Sequence, residues 1–424
     1  MRVIDFLSTG EKIKRARIYK GLTLKQLCED DISISRMSCI ENGKVKADKW
    51  VLELVAKRLD LDLEYLLCDD ITQLNNSIDK YIEKKVLTES EADEIKEYLE
   101  YSLSKEYEDI SSKLMHILFI NYTNIREFKK AKDLLNEYSN IYESNKESKR
   151  LYYEDLALYF TVRKNFADAI TYYNMLLDFL LKDGIEKNNK LYIKNATALA
   201  ICNYRVGHIE KSREIIKDIF SIHGIDLNSK CLGEAQGILA ILALLEGNSE
   251  EFQRNYTYYK EKIDCNSYNW KRINSLIIDA FLKCGKYEEA QKLTEESIEK
   301  VNKEDKIGYI ELLLFIINVY NTNGCIESVK EYCELSLELA INKNNMFFIE
   351  RSYYFKAELS KNERNDMQWE MYMNLATDLL LKFGTYEEKR ERYLEMADLY
   401  HYLDDTNEAL KYLSFAIKEV DNLY

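Results

Sequence analysis

Asn203, Tyr204, Arg205, Asp279, Asn318 and Asn321 stand at helical positions where a polar side chain can face a groove. Their chemistry is recognition rather than bond making. An asparagine amide both donates and accepts, and so matches both groups of a peptide backbone. The residue types that would suggest catalysis are placed otherwise. His116, His208, His223 and His401 are far apart and have no metal-ligand spacing with Cys, Asp or Glu. Phosphate-binding glycine loops, GxSxG elbows and nucleotide fingerprints are absent. The expectation is a protein that is not an enzyme and uses no metal or cofactor. Nine cysteines (Cys28, Cys39, Cys68, Cys202, Cys231, Cys265, Cys284, Cys325, Cys333) form no CxxC pair and read as reduced core thiols.

A chain of 424 residues exceeds a single compact core and implies several domains or a repeat array. Proline is absent and only 13 glycines occur, a composition that suits long helices joined by short turns. No apolar run reaches the roughly 18 residues that a membrane span needs. Charges in the first twenty residues fall where a signal peptide would be apolar, so a cytoplasmic protein with no membrane partner is expected. The net charge is −14, yet residues 1–49 carry 11 Lys/Arg against 7 Asp/Glu. A basic head on an acidic body lets one end alone approach DNA.

The elements of that head can be placed from spacing. A helix over 9–20 is stopped by Gly21, and Thr23 caps a second, TLKQLCED. A short connection at Asp31–Ile32 leads to a third helix over 33–41, closed by Asn42-Gly43. Leu52, Val55, Ala56, Leu59, Leu63, Leu66 and Leu67 follow with spacing for burial. The segments GLTLKQL, SRMSCIENGK and VAKRLDLDLEYLL resemble the Cro/repressor-type helix-turn-helix over the whole of residues 9–67. The resemblance implies that the third helix enters the major groove. Ser33, Ile34, Ser35, Arg36 and Cys39 then face the bases, while Met37 and Ile40 face the core. Thr23, Lys25, Lys44, Lys46 and Lys49 meet phosphates. Leu24 departs from the Gln often found at its position, so no direct polar contact is expected there. The plain chemistry of the reading helix implies modest half-site specificity, and hence a homodimer on a two-fold operator.

From about residue 107 the chain repeats. REFKKA (126–131), KNFADA (164–169), GHIEKS (207–212), GKYEEA (285–290), GCIESV (324–329) and DTNEAL (405–410) share a polar turn followed by an apolar and a small residue. GNSEEF (247–252) and the region of Asp366–Glu370 are weaker instances, and the interval is about 38 to 43 residues. Two helices per period imply an all-α helical solenoid. It resembles tetratricopeptide (TPR) repeats, a right-handed coil, with Ala157, Phe160, Ala169 and Tyr173 at the small and aromatic positions. It departs from them in repeat length and in lacking a terminal proline. The expected domains are a helix-turn-helix unit over 1–68, a helical connector over 69–106 with a capped start at Thr88, and seven to eight repeat pairs over 107–424. The first helix of each pair lines a concave face suited to extended or helical peptides. On or near that face the register sets the six polar residues named above.

A repressor-type head on TPR-like repeats resembles the RRNPP family of peptide-responsive regulators of Gram-positive bacteria. It is nearest to PlcR-like and NprR-like members, which share the short turn at CEDDISIS, and to clostridial regulators of the RstA type. The resemblance implies a cytoplasmic homodimer whose DNA-binding heads are repositioned when the repeats bind a short signalling peptide. Quorum sensing, sporulation and toxin or virulence control are the processes it implies. One alternative is that the repeats mainly dock and sequester a protein partner such as a sporulation phosphorelay component. A weaker one is a phage-type regulator of lysis or lysogeny.

Overall fold

The computed structural model describes residues 6–82, 84, 86–223, 230–263 and 267–421. Every regular element among them is helical. The head comprises α1 (Thr9–Tyr19), α2 (Leu24–Cys28), α3 (Ile34–Glu41), α4 (Lys49–Leu59) and α5 (Leu63–Leu67). Two further helices follow, α6 (Asp70–Ile82) and α7 (Glu89–Ser104). Eight helix pairs complete the chain: α8 (Glu108–Asn124) with α9 (Phe128–Ile141), α10 (Lys146–Val162) with α11 (Phe166–Lys182), and α12 (Lys190–Arg205) with α13 (Ile209–Ser221). Then come α14 (Lys230–Leu245) with α15 (Ser249–Lys262), α16 (Tyr268–Lys283) with α17 (Tyr287–Lys300), and α18 (Lys306–Thr322) with α19 (Lys330–Asn342). The last are α20 (Met346–Asn362) with α21 (Asp366–Phe383) and α22 (Tyr386–Tyr402) with α23 (Thr406–Asp421).

The chain divides into two compact units. The first holds residues 1–125 and 134–151, and the second residues 126–133 and 152–424. These units part at a different place from the domain limit expected near 107, because α8 and the second half of α9 pack with the first unit.

In the first unit Ile13, Leu27, Ile32, Met37, Ile40, Val51, Val55, Leu59 and Leu66 form the small core of the head. Three of its helices begin on side-chain caps: Ser8, Thr23 and Ser33 each accept a backbone N–H three residues on. α2 is shorter than the TLKQLCED segment suggests, because Glu29 takes φ +45°. Arg58 of α4 is what closes it, donating to the carbonyls of Leu27 at 2.7 Å and Cys28 at 2.9 Å. A cation at a helix C-terminus satisfies orphan carbonyls and opposes the negative end of the dipole. Gly10 is required by contact, since a Cβ there would stand 2.1 Å from the Ile40 carbonyl oxygen. α1 therefore crosses the end of α3 backbone against backbone. Thr88 caps α7 in a reciprocal capping box with Glu91.

In the second unit the first helices of successive pairs stack in the order α12, α14, α16, α18, α20. Ala169 and Ala290, each the small residue just after a repeat turn, are fully buried, which leaves no room for a larger side chain there. The turn between paired helices needs one left-handed residue, most often glycine because only glycine lacks a Cβ penalty there. Gly207, Gly247, Gly285 and Gly324 fill it at φ between 71° and 85°. Arg126, Lys164, Arg364 and Asp404 occupy the same place in the other four turns, at φ between 57° and 65°. The array curls until Arg126 meets Glu311 of α18 and the Phe128 ring lies 5.9 Å from that of Phe347 in α20.

The expectation of nine core thiols is corrected. Cys28, Cys202 and Cys333 are buried, Cys39, Cys68 and Cys325 are partly so, and Cys284 is exposed. The Cys231 side chain and Cys265 lie outside the described residues. No helix among the described residues is long and apolar enough to cross a membrane.

Candidate functional site

Two surfaces could bind a ligand, and they are built differently. On the head, Ser33, Ile34 and Ser35 are exposed at the start of α3, with Arg36 and Cys39 half-buried beside them. Ile34 is 47% exposed. Met37 and Ile40 point into the core. Lys25, Lys44, Lys46 and Lys49 are exposed. Thr23 is exposed too, but its hydroxyl is engaged: it caps α2 and donates to the Gln26 side chain at 2.8 Å. Arg36 is also occupied. It pairs with Asp48, the residue preceding α4, and its guanidinium lies 5.6 Å from the centre of the Trp50 ring.

In the second unit, the inner helices enclose a cavity of about 90 Å³. Arg126, Lys164, Arg205, Arg272 and Arg351 line it, against a single carboxylate, Glu311. Phe166, Tyr268, Phe315, Phe347, Phe348 and Phe355 supply aromatic walls. Glu311 is already shared, accepting from Arg126 at 2.8 Å and from Lys271 at 2.9 Å. Positive charge in this cavity thus exceeds its counter-charge in a chain whose net charge is −14.

The individual cations record that excess. Arg126 is 7% exposed, and its second terminal nitrogen, Nη1, has no hydrogen-bond partner. The buried Nε of Arg272 has none either. Arg205 lies against the Phe166 ring at 5.3 Å. Burial, then the neighbouring Arg272, lowers its pKa despite Asp279. Lys164 is reached by solvent but screened from bulk water by surrounding protein. That enclosure, then Arg351, Arg205 and Arg126, lowers its pKa to about 7 against the pull of Glu350. Arg126 behaves oppositely: burial opposes its charge, but Glu311 outweighs it and the pKa rises.

Of the polar residues expected on the concave face, Arg205 and Asn318 line the cavity. The other four lie outside that lining. Asn203 is buried and donates its amide to the Leu199 carbonyl of its own helix at 2.9 Å. Tyr204 is buried. Asp279 accepts from Lys283 at 2.7 Å and Asn323 at 2.8 Å. Asn321 stands half-exposed beside Glu358. Arg126, Lys164, Arg272 and Arg351 were not anticipated as a group. The repeats carry no signal for them: Arg126 and Lys164 replace the turn glycine, but so do Arg364 and Asp404, which do not line the cavity. Among the described residues no group of three or more His, Cys, Asp or Glu is gathered as metal ligands would be.

No protein-family model and no curated protein matches the chain. Its structural neighbours include the apo form of the quorum sensor NprR from B. thuringiensis, at 14% identity and a TM-score of 0.41 over 83% of this chain and 100% of that one. They include the apo form of RapI, at 14% and 0.39 over 84% and 98%. A third is NprR in complex with its cognate peptide NprX, at 13% and 0.41 over 78% and 98%.

Proposed function

We propose that this chain is a DNA-binding transcriptional regulator of the RRNPP type, whose repeats bind a short signalling peptide that governs the action of its head. The observation that carries the reading is where an acidic chain has placed its cations. They gather on an exposed helix start with neighbouring lysines, and again in an aromatic cavity among the inner helices. A helix presenting exposed Ser33, Ile34 and Ser35 beside Arg36 suits a major groove, where thymine methyls and guanine edges are read. Lys44, Lys46 and Lys49 suit the phosphates that flank it. Two such heads in a homodimer would meet a two-fold operator in the cytoplasm.

The test is selection of an operator from random duplex DNA by the full chain, followed by titration with Arg36→Ala. The side chain is half-exposed and pairs only at the surface, so the variant keeps its fold. Loss of one base or phosphate contact weakens operator binding by about 1–3 kcal/mol. Unchanged operator affinity removes Arg36 from the interface, and failure to enrich any duplex removes DNA binding. Gating is tested with a library of short peptides: a member must change operator affinity as well as thermal stability.

A further inference from the structure

The cavity among the inner helices is cationic beyond what protein stability explains, and its ligand can be specified by chemistry. Of its charged lining residues five are cations and one is an anion, and that anion is already bonded twice. Arg126 is more than nine-tenths buried with Nη1 unpartnered, and Arg272 has a buried Nε in the same condition. An unmet buried donor costs free energy, the more so on a cation. Unfavourable charge and unmet buried donors coincide at one place. Such a combination persists where something from outside completes it.

We infer that the cavity anchors a carboxylate carried beside an apolar or aromatic side chain, the acidic point of contact of the bound peptide. This rests on the peptide reading above. A guanidinium presents a planar fork that matches a carboxylate, and a second unused donor close by allows a two-point grip. The walls of Phe166, Phe347, Phe348 and Phe355 are suited to an apolar group attached to that carboxylate. Size limits the occupant further. About 90 Å³ takes one side chain or one chain terminus, so the rest of the ligand lies outside the cavity. The carboxylate can be a C-terminus or an Asp or Glu side chain; the recognition chemistry is the same.

Three small probes separate these sources on the full chain: N-acetyl-Ala-Phe as the free acid, the same dipeptide as its C-terminal amide, and N-acetyl-Asp-Phe amide. At millimolar concentration, a probe that carries the right carboxylate raises the melting temperature by a few degrees, and the uncharged amide does not. A shift with the first alone assigns a terminus, with the third alone a side chain, and with both a site open to either. Lys164→Gln and Arg205→Gln sharpen the result. Each removes an uncompensated charge, so each raises the melting temperature of the ligand-free chain while abolishing the shift given by the acid. A structural role demands the reverse. An equal shift from the uncharged amide, no shift from either acid, or variants that destabilise and still respond overturns the inference. Peptides that alter operator affinity regardless of their carboxylates remove the anchor and leave gating intact. Acid binding at the cavity without any peptide effect on DNA removes gating and leaves the anchor.

Discussion

The head and the cavity both use arginine, and the use differs in one respect: in the head every structural guanidinium has its counter-charge built in. Arg17 of α1 forms a two-pronged bond to the buried Glu41 of α3, at 2.6 and 2.8 Å, and donates to the Leu22 carbonyl at 2.9 Å. Arg58 meets two carbonyls, Glu29 at 2.7 Å and Asp31. Even Arg36, on the exposed reading surface, is held by Asp48. In the cavity, Lys164 and Arg205 have neighbours of their own sign and depressed pKa values. An arginine with its partner supplied is part of the scaffold. One whose partner is missing is a binding group, because the same desolvation that penalises it in the empty protein rewards an incoming anion.

The comparison is broken most directly by removing a scaffold arginine. Arg17→Ala leaves Glu41 buried and unpaired, and the head loses about 3 kcal/mol. Denaturant unfolding followed by hydrogen exchange in α1 and α3 measures it. A loss below half that value would place Arg17 in the same class as the cavity cations, whose removal is expected to stabilise.

Acid-base behaviour gives the next largest effect. With Lys164 lowered to about 7 from an ordinary 10.5, the unfolded chain binds a proton between those values that the folded chain does not. Stability contributed by this group therefore rises with pH across that window, and the full penalty is present below pH 7. Arg351, Arg205 and Arg126 are the cations that press on it, and Glu350 is the carboxylate that opposes them. A bound carboxylate favours the protonated lysine, so acid-probe affinity falls roughly tenfold from pH 6 to 8.5. Isothermal titration of the native chain at the two values reads this. An unchanged affinity in the native chain contradicts the placement of the lysine.

The smallest effect concerns the one head arginine with a removable tether. Asp48 makes no side-chain cap to α4, so Asp48→Asn leaves the helix intact. It frees Arg36 and removes a negative charge from a surface meant for phosphate. Operator affinity should rise by about 2- to 5-fold, an increment that shrinks at high salt. A fall in affinity would mean that Asp48 orients Arg36 for its contact instead of withholding it.

Much of this molecule is written locally. Thr23, Ser33 and Thr88 announce their helix starts because capping needs only a hydroxyl and a free N–H nearby. Turns at Gly207, Gly285 and Gly324 announce themselves because the left-handed backbone selects glycine. Ile13, Met37, Ile40 and Val55 reveal a core by period alone. Asn203 and Asp279 show the limit of that approach, since a polar residue on an inner helix looks the same whether it faces a ligand or bonds a neighbour. Arg58 is another such limit: nothing near residue 58 indicates that it closes a helix thirty residues earlier.

What the sequence determined by itself, then, is an all-helical chain with a basic head and a repeat period. Only the tertiary structure decided which polar residues belong together. Arg126, Arg205, Arg272, Glu311 and Arg351 come from a turn and four helices spread over 226 positions, so no local pattern links them. Their meaning is also collective. One cation on an inner helix is ordinary, whereas five around one carboxylate change each other's energy, and electrostatic energy depends on distances in space that chain order does not contain.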